Sequence, residues 1–256
     1  MVRQKKVEAL ARAWTTSIIR AVYIAKKDAK IYFFKWPNIT FGLSLPAIIY
    51  LAFSVGRPEE ISLTIPGLVA MASLFGAGAI ESVALPLERA KGTFERLLTA
   101  PISLTTIIVG KALAGFFFGI VLSTAYSLIV IPLAGVTLTQ PFLFVFGVAL
   151  SAFTFSALGM CISAPFRDIP EAMPPATLLR VLMVFLGGVL IPVEALPNFL
   201  QIVAYLLPVT YAVDMLQQAM TGQITAHLFL LNTAVLMMFS VLFFEAAVLM
   251  LKRTIQ

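Results

Sequence analysis

The sequence predicts an all-α integral membrane protein. It has six transmembrane helices, an N-terminal amphipathic helix at the interface, a short cytoplasmic helix between spans two and three, and a re-entrant helical pair between spans five and six. Three observations predict this. First, 60% of the 256 residues are hydrophobic and only 12% are charged, with a mean hydropathy of +0.99; a soluble domain carries about 25% charged residues. Second, apolar runs long enough to cross a bilayer recur at roughly 39–55, 65–87, 107–133, 142–162, 176–193 and 228–251. They lack the ten-residue alternation of an outer-membrane barrel, and about 17 to 25 helical residues match the hydrocarbon layer. Third, the basic residues sort by loop. Apart from Arg57 and Arg180, every Lys and Arg lies in the N-terminal arm, in or beside the 86–106 loop, in the 163–175 loop, or at the C-terminal end. The positive-inside rule puts those segments, and both termini, in the cytoplasm. Two cytoplasmic ends require an even number of crossings.

The arm at residues 1–38 carries Arg3, Lys5, Lys6, Arg12, Arg20, Lys26, Lys27, Lys30 and Lys35 without an uninterrupted apolar core, so it does not read as a cleaved signal peptide. Val7, Leu10, Ala11, Trp14, Ile18, Ala21, Val22 and Ala25 recur at three- and four-residue steps, the pattern of a helix lying on the membrane. Trp14 and Trp36 suit headgroup anchors, and Pro37 separates the arm from the transmembrane domain, residues 39–253.

Between the second and third spans, Glu88 to Lys91 prolong the span until Gly92 breaks it. Thr93 is the expected N-cap of a short helix at 93–100, with Glu95 complementing the helix dipole in its first turn. Phe94, Leu97 and Leu98 share one face, an apolar surface suited to docking a partner. Pro101 stops the helix and Ser103 starts the next. The region at 196–222 is apolar but divided by Pro197 and Pro208; the piece between them is too short to span, so it is expected to turn back.

Catalytic chemistry is missing. His227 is the only histidine and Cys161 the only cysteine, so two-histidine and cysteine metal motifs, and a disulfide, are excluded. The run from Gly110 to Leu113 resembles the tail of a phosphate-binding loop, but Thr105 stands where the first glycine is required; Lys111 reads instead as a lysine snorkelling to the cytoplasmic surface. The net charge of +6 follows membrane topology and does not indicate nucleic acid. Within the spans, Glu81, Arg180 and Glu245 stand within one or two helical turns of the predicted cytoplasmic boundary. They serve either as snorkelling, helix-locking groups or as a gate, with Arg180 expected to pair with Glu81 or Glu245. Ala72 with Gly76, Ser73 with Ala77, and Gly147 with Ser151 form small-residue ridges for close packing within one subunit.

Two stretches resemble the permeases of type-2 ATP-binding-cassette (ABC-2) exporters. One matches the pattern E-R-x-x-G-T-x-E-x-L-x-x-x-P-I-S followed by G-K, through Glu88, Arg89, Gly92, Thr93, Glu95, Leu97, Pro101, Ile102, Ser103, Gly110 and Lys111. The other matches G-x-x-x-P…L-P-x-x-L…P-x-T-Y-x-x-D-x-L, through Gly188, Pro192, Leu196, Pro197, Leu200, Pro208, Thr210, Tyr211, Asp214 and Leu216. Gln217 and Gln218 depart from the arginine that many relatives carry after the aspartate.

The resemblance implies a permease that exports a solute across the cell membrane. It would bind no cofactor; a separate ATPase subunit, present in two copies, would use ATP and Mg, and a second permease subunit would complete the transporter. The helix at 93–100 would be the coupling helix, the 196–222 pair would lie near the exit, and the second and fifth spans would border the pathway. With 21 phenylalanines and no tryptophan inside the spans, a drug- or lipid-like cargo is expected ahead of a polysaccharide or glycolipid. The readings from other classes are a membrane-embedded enzyme and a non-transporting scaffold.

Overall fold

A computed structural model describes residues 2–33, 36–56 and 61–255, with side chains described from Ser17 onward except at 36–38, 41, 56, 61 and 255. The expectations for Trp14, Trp36 and Arg57 lie outside the described side chains. The described chain is helical, without strands: α1 (Val2–Tyr32), α2 (Trp36–Gly56), α3 (Ile61–Ala90), α4 (Thr93–Leu98), α5 (Leu104–Leu133), α6 (Pro141–Ser163), α7 (Ile169–Leu186), a 3-10 turn (Val193–Ala195), α8 (Asn198–Tyr205), α9 (Pro208–Thr221) and α10 (Ala226–Ile255).

Five helices are long and apolar enough to cross a membrane, over Ser62–Ala90, Leu104–Leu133, Pro141–Ser163, Ile169–Leu186 and Ala226–Thr254. The first predicted span falls in α2, whose Gly42–Val55 stretch is apolar but shorter. Helices α8 and α9 together contain enough apolar sequence for one crossing, but they meet at a bend of 87°.

The centre of the bundle is α3, packed against α5, α6, α2, α9 and α7. Its inward residues Leu68, Met71, Leu74 and Ile80 are sealed from the surface. Small residues permit this crowding. A Cβ on Gly119 of α5 would lie 2.7 Å from the Ala77 Cβ, and one on Gly147 would lie 3.1 Å from Leu216. The predicted small-residue ridges thus contribute to packing inside this subunit.

Helix α1 packs along α5 through Ala21, Ile24, Ala25, Asp28 and Tyr32. Ile18 and Val22, placed by their spacing on the apolar stripe, are exposed together with Ile19, Tyr23 and Ile31. The arm is therefore apolar on two sides, one gripping the bundle and one facing outward.

Candidate functional site

The site is assembled where the end of α3 passes into α4. Glu88 lies two residues before the last residue of α3, and its side chain turns back under α1. There it meets a buried group of charges: Lys111 Nζ is 2.6 Å from Glu88 Oε2 and 3.1 Å from Asp28 Oδ2. Lys27 Nζ is 2.8 Å from Asp28 Oδ1 and hydrogen-bonds Glu88 Oε1. The Asp28 Oδ1 and Glu88 Oε2 contacts are ion pairs off the hydrogen-bond direction, whereas Lys111 donates a hydrogen bond to Asp28 Oδ2. Lys111 and Asp28 are wholly buried. The expectation that Lys111 snorkels is corrected: two carboxylates surround its ammonium inside the protein, so it does not reach outward. The Tyr32 phenol closes the group from the α1 side, and burial first, then the Glu88 charge, pushes its pKa up to about 12.

Gly110 explains how α1 comes so close. A Cβ there would lie 2.7 Å from both the Ala21 carbonyl oxygen and the Ile24 Cβ. Gly110→Val is expected to lift α1 from α5 and cost about 1–3 kcal/mol, the usual penalty for overpacking. Thermal unfolding of the purified protein in detergent measures it.

Residues of the first motif fasten this region internally. Arg89 Nη1 donates to the carbonyls of Ala164 and Phe166, each at 2.8 Å, and so ties the α3 end to the α6–α7 loop. Gly92 adopts φ 65° and occupies the cap position of α4. Thr93 therefore does not cap the helix as expected; its hydroxyl donates to the Glu88 carbonyl at 3.2 Å. A left-handed residue at the turn is the physical reason, since glycine adopts that conformation without a Cβ penalty. Beyond α4, Arg20 of α1 donates to the Pro101 carbonyl, and the Ser103 hydroxyl caps α5 by accepting from the Thr106 N–H.

The apolar face of α4 differs from its expected use. Phe94 is 1% exposed and packs with Leu85, Ile107, Ile108, Met160 and Leu251. Leu97 and Leu98 are half-buried against the same cluster. That face holds the short helix to the bundle. The surface left to a partner is polar: Lys91, Thr93, Glu95 and Arg96 are exposed. Beside it opens a cavity of about 510 Å³, lined by Arg89, Glu95, Leu98, Arg167, Asp168 and Thr254.

The three charged span residues do not meet. Arg180 pairs with neither carboxylate; its Nη2 donates to the Gly78 carbonyl at 2.8 Å and to the Ser82 hydroxyl. Glu81 is fully buried on α3 beside Gly115, neither of its oxygens hydrogen-bonded among the described residues. Glu245 is exposed on the outer side of α10. The expected pairing fails because consecutive residues of α3, about 100° apart around the helix, place Glu81 beside Gly115 of α5 and Ser82 against Arg180 of α7, and because Glu245 is exposed on α10.

At the α8–α9 bend, the second motif performs structural work. Thr210 Oγ1 donates at 2.6 Å to the Ala204 carbonyl, which also accepts from the Leu207 N–H, and Tyr211 Oη donates at 2.8 Å to the Tyr205 carbonyl at the end of α8. Pro192 precedes the 3-10 turn, Pro197 precedes α8 and Pro208 opens α9. Asp214 accepts from Gln218 Nε2 at 3.0 Å and from Asn232 Nδ2, linking α9 to α10. Gln217 instead lines a cavity of about 400 Å³ with Ser62, Thr137, Thr139 and Thr221. No group of His, Cys, Asp and Glu able to hold a metal occurs among the described residues.

Asp28 is the functional candidate missed by sequence reasoning. Extending the apolar stripe of α1 past Ala25 by three and then four residues lands on Asp28 and Tyr32. An acidic residue in the buried register, with one lysine inside the third span, is the available signal.

Comparison with known proteins bears on the whole arrangement. The family described as ABC-2 type transporter matches residues 15–221. The probable multidrug ABC transporter permease YbhR of Escherichia coli strain K12 is 28% identical over 159 residues, covering 60% of this chain and 42% of that protein. Nodulation protein J of Rhizobium leguminosarum bv. viciae is 27% identical over 255 residues, covering 94% of this chain and 90% of that protein. ABC transporter G family member 20 of Dictyostelium discoideum is 28% identical over 175 residues, 67% of this chain and 24% of that longer protein. The chain thus spans less than half the length of the YbhR permease that it matches.

Proposed function

The chain belongs to the ABC-2 type transporter family, and from that premise we propose that it is the permease subunit of an ATP-driven exporter. It carries no ATPase motif of its own, so the energy enters through a partner ATPase. The observation that carries the reading is the fastening of α4. A two-turn helix is held by the Phe94 seat, the Arg89 contacts and the charges around Glu88, while Lys91, Glu95 and Arg96 face outward. Such a rigid, polar projection suits the transfer of motion from a docked subunit into α3 and α5, which it joins.

In this reading two ATPase subunits sit beneath two permease subunits, both termini of this chain face the cytoplasm, and the membrane is the cell membrane. The charge distribution supports that orientation. The α8–α9 bend lies on the opposite side as a re-entrant pair. A hydrophobic or amphipathic solute is the proposed cargo, in line with the multidrug relative and the phenylalanine-rich, tryptophan-free spans.

Purification together with the ATPase encoded beside this gene tests the proposal. A stable complex that hydrolyses ATP in lipid is expected. Glu95→Lys is expected to prevent the complex while leaving the unfolding of the isolated permease within about 0.5 kcal/mol, as for a surface substitution. If the wild-type permease binds no ATPase, the reading fails.

A further inference from the structure

The cavity of about 510 Å³ beside α4 is walled by four parts of the chain. Arg89 comes from the end of α3, Glu95 from α4, Arg167 and Asp168 from the α6–α7 loop, and Thr254 from the end of α10. Four of these five side chains are charged, two of each sign, yet no ion pair joins them among the described residues.

The two signs are not equally free. Asp168 serves the fold: its Oδ1 accepts the Glu171 N–H at 3.0 Å and caps α7. Arg89 donates from Nη1 alone, to the Ala164 and Phe166 carbonyls. Arg167 is exposed and makes no hydrogen bond or ion pair among the described residues. The two guanidinium groups stand near enough to repel each other, an effect that Glu95 offsets only in part. The unmet charge in the cavity is therefore positive. Lys91 and Arg96 on α4, with Lys252 and Arg253 on α10, are exposed and add the same sign on two of the elements that wall it. Such a cavity fits a partner of opposite charge, and the planar donor pairs of two arginines match a carboxylate.

We propose that this cavity is a socket for the partner ATPase: a loop of that subunit places an acidic side chain between Arg89 and Arg167, with a basic group of the same loop beside Glu95. This deepens the exporter reading and rests on it. In that reading α4 projects toward the ATPase; the socket works the other way, receiving part of the ATPase into the permease. The basic group beside Glu95 agrees with the loss of the complex expected for Glu95→Lys. Because Asp168 caps α7 and Thr254 belongs to α10, a loop seated here acts on α7 and α10 as well as on α3 and α5.

The purified full-length permease in nanodiscs is titrated with the purified ATPase encoded beside this gene. Arg167→Glu is expected to weaken binding about thirtyfold, Arg167→Gln about tenfold and Arg167→Lys less than about threefold, the pattern of a charge pair across an interface. Thermal unfolding of the three isolated variants should match wild type, since Arg167 makes no hydrogen bond within the described chain. A photo-crosslinker attached to Arg167→Cys is expected to label an ATPase loop containing Asp or Glu, and changing that acidic residue to Lys should restore binding to Arg167→Glu. Equal ATPase affinity in wild type and Arg167→Glu overturns the socket while the exporter reading stands. Labelling of a loop without an acidic residue also overturns it. So does weaker permease self-association in Arg167→Glu with ATPase affinity unchanged, which assigns the cavity to a second copy. A wild-type permease that binds no ATPase sinks both the socket and the exporter reading.

Discussion

Lys111→Met is expected to unfold a large fraction of the protein, at a cost of about 3–5 kcal/mol, the range for removing one partner from a buried ion group. The described group balances two ammonium groups against two carboxylates, Lys27 and Lys111 against Asp28 and Glu88. Without Lys111 a net negative charge remains in the interior. Lys27 cannot absorb it: its side chain is 37% exposed and already contacts both carboxylates. Methionine fills similar space, so the loss comes from charge and not from a cavity. The measurement is the folded fraction by size exclusion and thermal unfolding in detergent. A triple variant, Lys111→Met with Asp28→Leu and Glu88→Leu, is expected to recover most of the loss, because apolar replacement of a whole buried ion group is close to neutral. If Lys111→Met unfolds like wild type, the charges contribute nothing to holding α1.

Phe94→Ala carries the second large effect. Truncating a buried phenylalanine costs about 3–5 kcal/mol when the site does not collapse. Phe94 packs at the junction of α3, α4, α5, α6 and α10. Its loss is expected to loosen α4 from the bundle. In the exporter reading, the exposed Glu95 face would still attract the ATPase, so association should persist while ATP hydrolysis ceases to drive transport. Thermal unfolding, complex formation and vesicle transport on the same preparation distinguish this from Glu95→Lys, which is expected to lose the complex and keep the fold. Equal transport in Phe94→Ala and wild type would show that a firm seat for α4 is unnecessary.

The two substitutions also mark what the sequence revealed and what it hid. The helices and the short α4 were legible because hydropathy, a glycine and a proline are local signals. The seat of Phe94 was not: three apolar residues on one face look the same whether they await a partner or grip their own bundle. The ion group was hidden for another reason. Asp28 and Lys111 come together through tertiary packing, and a lysine near a helix start is ordinarily an interfacial one. Helix α7 begins at Ile169, seven residues before the apolar run at 176–193. Pro170 sits in the first turn, where proline is tolerated, whereas Pro174 and Pro175 lie inside α7 and mask its start in the sequence.

The buried pairing of Asp28 with Lys111 also has a consequence for biosynthesis. The two are separated by 83 residues. During translation the arm emerges first, and of the two lysines that contact Asp28 only Lys27 is present until α5 has been made. Glu88 and Lys111 meet it only when α3 and α5 have both threaded with these ends on the arm's side of the membrane. A chain inserted the wrong way round leaves Asp28 without Lys111 and the arm undocked. The same four charges that hold the finished protein together therefore make docking of the arm depend on α3 and α5, so it can dock in this way only after them although it is made first.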